Sequence, residues 1–225
     1  MRKDIICSNM PKDKFLFLGF FNEWRRKEMK VKKMALISVL GALAAMLMIF
    51  VHFPLPFMPP FMDFDLSGLP EMIGGFALGP VAAVLIIAIK LILKLCIVST
   101  STVFTGELSN FILSCVYVLP AVLIYQRKKT KQSAIIGMAV GTTLCAITAI
   151  LTNLYMIIPF YTNLMTGMTF QTVIDMCAAL NPLITDAFTL ALYGIVPFNL
   201  IKNGVISILT IILYKKISTL IKRFM

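Results

Sequence analysis

Three side chains in this sequence carry chemistry that a hydrophobic chain does not need for packing: Asn153, Asn199 and Lys202. Asn199 and Lys202 lie three apart in Pro197-Phe-Asn-Leu-Ile-Lys202. A helix opened by Pro197 at its first turn therefore presents both on one face. Asn153 lies in Thr152-Asn-Leu-Tyr-Met-Ile-Ile-Pro-Phe-Tyr161, surrounded by membrane-grade sequence, where an amide is costly unless it pairs. A lysine in a first turn also opposes the positive end of the helix dipole. Snorkelling to the interface would account for Lys202 by itself. Together, two amides and one ammonium offer paired donors and acceptors and a cationic donor for a carbonyl. That set suits a flat, neutral heterocycle with an imide-like edge, its faces covered by apolar and aromatic side chains and its tail by hydroxyl-bearing groups. A strongly anionic ligand would want an arginine cluster, and no arginine lies between Arg26 and Arg127.

The elements that must position these groups are membrane helices. Apolar residues make up 59% of the 225 positions and charged residues 14%, against about half and a quarter in a soluble domain. The fold class expected is an all-α integral membrane protein built as one bundle. The net charge of +11 comes with no basic stripe interleaved with aromatics, so nucleic acid is not an expected partner. The charge belongs to topology. Residues 1–33 hold ten of the 21 Lys and Arg and frame one short apolar run, Phe15–Phe21, too short to span. They read as a basic extension, either an interfacial helix with Trp24 in the headgroup belt or the product of a mis-assigned start. Residues 34–225 read as the membrane-embedded, substrate-binding domain.

Charge bias sets the helix count. Spans are expected at about 34–51, 66–78, 80–97, 106–126, 133–158 and 197–214. Without the break at Gly79-Pro80 the Arg127–Lys131 cluster would fall outside the cell, against the positive-inside rule. With it, six transmembrane helices leave both termini and 18 of the 21 basic residues cytoplasmic; the exceptions are Lys90, Lys94 and Lys202. Loops 52–65, 98–105 and 159–196 then lie outside, with Asp63, Asp65, Glu107, Asp175 and Asp186. The stretch 162–193 reads as a short helix on or dipping into the outer leaflet.

The first outer loop carries prolines at 54, 56, 59 and 60, which forbid helix and favour extended backbone, and phenylalanines at 53, 57, 61 and 64. It reads as a lid over a ligand cavity or as an aromatic interface belt. Phe64 on this loop and Tyr161 above the fifth span are aromatic candidates for the substrate site. Glu107 is either a further contact or a carboxylate matched to the helix dipole. The first span contains Ser38-x-x-x-Ala42 and Gly41-x-x-x-Ala45, small-residue registers that let another helix approach in lipid, whether from a partner protein or from the same chain. The single histidine has no second ligand at metal spacing, and the five cysteines show no CxxC pair, so they read as helix packing.

The runs Phe53–Phe61, Asp65-Leu-Ser-Gly-Leu-Pro70, Ile73-Gly-Gly-Phe-Ala-Leu-Gly-Pro80, Gly106-Glu-Leu-Ser-Asn-Phe111 and Pro197-Phe-Asn-Leu-Ile-Lys202 resemble the riboflavin-specific S components of energy-coupling factor (ECF) transporters. The resemblance covers roughly residues 30–222, and its combination with Pro-Phe-Asn-x-x-Lys is what makes it specific. It implies a six-helix bundle with substrate at the outer end beneath the first loop. It also implies that Asn153, Asn199 and Lys202 contact the isoalloxazine ring. In the family an Ala-x-x-x-Ala face on helix one docks a membrane scaffold bearing two ATP-binding subunits; here Ser38, Gly41, Ala42 and Ala45 are the corresponding small residues. Gly68 departs from the acidic residue common at that corner. The implied activity is vitamin capture at the cell membrane and not catalysis, since the chain has no Gly-x-x-x-x-Gly-Lys-[Ser/Thr]. The expected ligand is riboflavin, with no cofactor. The alternatives are an S component for thiamine, biotin or another vitamin, and an intramembrane enzyme. The single histidine argues against a zinc protease, and the acids at the outer rim argue against an aspartyl mechanism.

Overall fold

The structure, a computed structural model, describes residues 12–54, 62–98, 104–160 and 169–224, with side chains described within 30–214. Its helices are α1 (Lys12–Phe50), α2 (Gly68–Leu78), α3 (Pro80–Ile97), α4 (Thr105–Lys128), α5 (Lys131–Thr152), α6 (Phe170–Leu180), α7 (Ala187–Leu190) and α8 (Val196–Phe224). Two short strands, β1 (His52–Pro54) and β2 (Asp63–Asp65), pair antiparallel with Phe53 opposite Phe64. Among the described residues, five helical stretches are long and apolar enough to cross a membrane: Lys30–Phe50, Pro80–Ile97, Thr105–Lys128, Lys131–Phe160 and Ala187–Tyr214. The chain is an all-α, multi-pass membrane protein with one small extended hairpin.

Short as it is, α2 is the most buried of the helices. Nine of the eleven residues of α2 are buried, and at about 1.5 Å per residue it is roughly 16 Å long, half a bilayer core. The extended residues of β2 lead into it. At Gly79 the backbone takes φ 105°, a conformation open to glycine, and Pro80 starts α3 where its missing N–H costs nothing. The chain then folds back: Gly74 lies against Ile86 and Gly75 against Ala83, so close that an added Cβ would come within 2.2 Å and 3.2 Å of them. The break expected at Gly79-Pro80 is thus a helical hairpin.

Two boundaries differ from expectation. The junction expected at residues 33/34 falls inside α1, which runs unbroken for 39 residues. Asn22–Met34 contains neither Gly nor Pro and is rich in good helix formers, so nothing stops the helix at the membrane surface. The last span, expected from 197, starts ten residues earlier, at Ala187. Asp186 and Thr189 form a capping box there, and the widened π turn Ala191–Ile195 leads on into α8. A second π turn, Asn153–Ile157, extends α5. Each ends two residues before a proline, Pro159 or Pro197. A proline inside a helix removes a hydrogen bond and crowds the preceding turn, and a widened turn absorbs both effects.

Helices α4 and α5 pack backbone to backbone. A Cβ on Gly141 would lie 2.2 Å from the Tyr117 carbonyl oxygen, and one on Gly137 would lie 2.7 Å from that of Ala121. In lipid, such small-residue contacts supply the dispersion energy that hydrophobicity cannot. One core cluster surrounds Met72, Phe76, Val118, Val122 and Met138. A second gathers Met62 and Phe64 from the hairpin with Ile158, Leu190, Ile195 and Phe198, and with Val173, Ile174 and Cys177 of α6. The short helix expected within 162–193 is therefore α6, and its apolar face joins this outer cluster.

Candidate functional site

Between the hairpin and the bundle lies a cavity with four contributors. The last helix supplies Phe198, Asn199, Lys202 and Asn203. The fifth supplies Cys145 and, from the first position of its π turn, Asn153. The fourth supplies Ser109, Asn110, Ser114 and Tyr117, and the hairpin with the start of α2 supplies Met62, Asp63, Ser67 and Gly68.

The two predicted amides are held in the same manner. Asn153 Nδ2 donates to the Ala149 carbonyl at 2.8 Å, and Asn199 Nδ2 donates to the Ile195 carbonyl at 2.9 Å. Each bond ties the amide to the turn behind it, so its orientation is set before any ligand arrives. The Cys145 thiol faces Asn199 Oδ1 at 3.8 Å. One turn further along α8, Asn203 is 5% exposed, and its Nδ2 has no hydrogen-bond partner among the described residues. The Asn203 backbone carbonyl accepts from Tyr117, whose hydroxyl also meets Ser207 at 2.8 Å. A buried amide donor facing a cavity without a partner is a place for a ligand acceptor.

Lys202 is paired. Its Nζ donates to Asp65 Oδ2 at 2.6 Å, which joins the hairpin to the last helix. Asp65 Oδ1 also accepts the Ser67 backbone N–H at 2.8 Å. Burial alone would raise the Asp65 pKa, but the charges of Lys202 and Lys90 and the bonds from Lys202 and Ser67 hold it well below the usual carboxylate range.

A second ion pair lies under the cavity. Lys90 of α3 and Glu71 of α2 are both fully buried and in contact. The Lys90 ammonium also donates toward Ser114 Oγ at 3.2 Å, Ser67 Oγ at 3.3 Å and Asn110 Oδ1 at 3.4 Å, three groups that line the cavity. At the rim Lys94 pairs with Glu107. The cavity is thus rich in amides and hydroxyls, and its lysine is already neutralised.

Over residues 32–214 the chain matches the family described as ECF transporter, substrate-specific component. The chain belongs to this family. It is 33% identical over 192 residues to the riboflavin transporter RibU of Staphylococcus aureus (strain TCH60), covering 85% of this chain and 93% of that one. To the riboflavin transporter FmnP of Bacillus subtilis (strain 168) it is 28% identical over 198 residues, covering 87% and 96%. A solved structure of the S component of a bacterial ECF transporter superposes with a TM-score of 0.67 at 30% identity, covering 86% of this chain and 99% of that one. The family resemblance read from the sequence holds, and with it a transport role.

Within this S component, Asn153, Asn199 and Lys202 line one cavity. Phe64 does not line it: it is buried in the outer cluster and stacks on Phe53 with ring centroids 5.2 Å apart, so it shapes the hairpin. Glu107 is occupied by Lys94, while its neighbours Gly106 and Ser109 face the cavity. Tyr161 lies outside the described residues, as do Phe57 and Phe61. The small residues of α1 divide. Gly41 meets Ile89 of α3 and Ala45 is buried in the bundle, whereas Ser38 is exposed and Ala42 half-buried, beside exposed Val39, Leu43 and Met46.

Sequence reasoning missed Asp65 as a partner of Lys202, the Glu71–Lys90 pair, Asn110 and Asn203. Two of these left a signal. Asn199-x-x-x-Asn203 is an i, i+4 amide pair on one helical face. Lys90 is an ionisable residue in the middle of a spanning helix, a site candidate for that reason alone.

Proposed function

We propose that this S component binds riboflavin at the outer face of the cell membrane and delivers it inward together with a scaffold protein and two ATP-binding subunits. The observation that carries the reading is the convergence of Asn153, Asn199 and Lys202 on one cavity beneath the hairpin. Two oriented amides and an ammonium match the alternating carbonyl and N–H edge of an isoalloxazine ring. The serine and asparagine groups of α4 offer partners for a polyol tail, and Met62, Phe198 and Ile206 offer apolar cover. The names of the two relatives favour the same ligand over thiamine or biotin.

The α2–α3 hairpin supports counting six transmembrane helices, one of them short, which puts both termini in the cytoplasm. The outward face of Ser38 and Ala42 is the surface we assign to the scaffold, since Gly41 and Ala45 pack within the bundle.

The deciding experiment is a fluorescence titration of the purified protein with riboflavin, followed by competition with thiamine, biotin and FMN. Quenching at stoichiometric riboflavin that thiamine and biotin do not reverse is the expected outcome. Displacement by either, or no quenching at all, would falsify the assignment.

A further inference from the structure

Four ionisable groups of alternating sign form one string from the cavity into the bundle. Lys202 of α8 meets Asp65 of β2 at 2.6 Å. Asp65 accepts the backbone N–H of Ser67, whose hydroxyl accepts from Lys90 at 3.3 Å, and Lys90 meets Glu71. Lys202 faces the cavity; Asp65, Lys90 and Glu71 do not line it. Asp65 is 3% exposed, and Lys90 and Glu71 are 0% exposed.

Holding this many charges out of water is costly, and apolar residues of similar volume hold a fold together as well or better. The string therefore calls for a role beyond stability. A lysine ammonium is a point charge on a flexible four-carbon stem with three rotatable donors and no acceptor. Left alone at the edge of a cavity it would sample many directions. The carboxylate of Asp65 engages one of its N–H groups and leaves the other two to point past it. Asp65 is itself fixed on both oxygens, by Lys202 on one and by the Ser67 backbone on the other. Behind it, the net-neutral Lys90–Glu71 pair reaches the same segment through the Lys90–Ser67 hydrogen bond.

We infer that Asp65 is the positioning residue of the site: without touching the ligand, it holds the Lys202 ammonium as a directed donor for a ring carbonyl. The Lys90–Glu71 pair supports it through Ser67. The same bond makes the hairpin a part of the binding site, because β2 carries the residue that orients a group on α8. This inference rests on the flavin reading above for its probe.

The test is riboflavin affinity by fluorescence quenching for the wild type, Asp65→Asn, Asp65→Glu, Lys202→Met and the double variant Asp65→Asn/Lys202→Met, each checked for folding by its thermal midpoint. Asp65→Asn is expected to weaken binding by about tenfold or more, and the double variant to bind within about threefold of Lys202→Met, since Asp65 acts through Lys202. Asp65→Glu keeps the charge on a longer arm and is expected to bind better than Asp65→Asn but measurably worse than the wild type. Wild-type affinity in Asp65→Asn, or losses that multiply in the double variant, would overturn the inference while leaving the riboflavin assignment intact. If Asp65→Asn does not fold, Asp65→Glu decides, and unchanged affinity there overturns it. A wild type that binds no riboflavin sinks both the assignment and the inference.

Discussion

Asn153 and Asn199 repeat one arrangement on two different helices. Each donates its side-chain amide to the carbonyl four residues earlier, and each is associated with a π turn. Asn153 is the first residue of one such turn, and the Asn199 amide is tied to Ile195, the last residue of the other. The two amides, 46 positions apart, line one cavity. Functional side chains at π turns are a recurring use of that geometry.

Removing these ligand partners one at a time should be costly and selective. Asn153→Ala, Asn199→Ala and Lys202→Ala are each expected to weaken riboflavin binding by about 1–3 kcal/mol, the range for leaving a buried partner unsatisfied. Equilibrium titration of the purified variants measures this. Unchanged affinity in all three would take the cavity out of consideration.

Asn203 should behave differently. Among the described residues its buried Nδ2 has no hydrogen-bond partner, and a buried donor left unpaired costs about 1–3 kcal/mol. Asn203→Leu is expected to raise the melting temperature of the empty protein and, at the same time, to weaken riboflavin binding. Opposite signs in the two measurements identify a ligand contact. A fall in both would mean that the amide is structural.

The pH dependence follows from the Asp65 carboxyl, whose pKa is depressed in the folded protein despite its burial. A depressed carboxylate contributes stability that is fully present above its unfolded value, about 3.9, and is lost only as pH falls through the lower folded value. Riboflavin affinity should therefore be flat from about pH 8 to about pH 5. A midpoint inside that window, in titrations run at constant ionic strength, would mean that Asp65 is not paired with Lys202.

Glycine substitutions separate close approach from mere presence. At Gly141 an added methyl meets the Tyr117 carbonyl oxygen at 2.2 Å, and Gly141→Ala is expected to cost about 1–3 kcal/mol by overpacking. At Gly204 nothing lies within 4 Å of the added atom. Gly204→Ala should be neutral or should add about 0.5–1 kcal/mol through helix propensity. Thermal unfolding in detergent, with both variants in one series, reads the contrast.

The outward face of α1 gives a prediction about assembly. Ser38→Phe should leave riboflavin binding unchanged while reducing co-purification with the scaffold and ATP-binding subunits. Gly41→Phe should damage the fold itself, because Ile89 already fills that space. Equal assembly by Ser38→Phe and the wild type would move the docking surface elsewhere.

Much of this was legible in the chain because its signals are local. Apolar runs, Gly79-Pro80 and the basic clusters each act over a few residues, and they place the helices. The spacing of Asn199 and Lys202 is a helical-face argument that needs no tertiary knowledge. Asp65 was not legible as a partner of Lys202, since 137 positions separate them and only the folded hairpin joins them. The start of the last span was missed because Pro197 is a strong punctuation mark in sequence, and a π turn is a device that lets a helix pass through one. Phe64 shows the same limit: the hairpin gives Met62 and Asp63 to the cavity wall, while Phe64 packs against Phe53 in the outer cluster, a tertiary choice that no local pattern announces.

The contact of α4 with α5 through Gly137 and Gly141 has a bearing on traffic. Backbones that touch cannot be prised apart without breaking the packing that holds both helices, so this wall of the cup is permanently shut. We propose that the ligand passes instead by the two-stranded flap, which among the described residues is tied to α8 by the Asp65–Lys202 ion pair. On that proposal the loaded bundle would turn as one body in the bilayer, and no pore would open between α4 and α5.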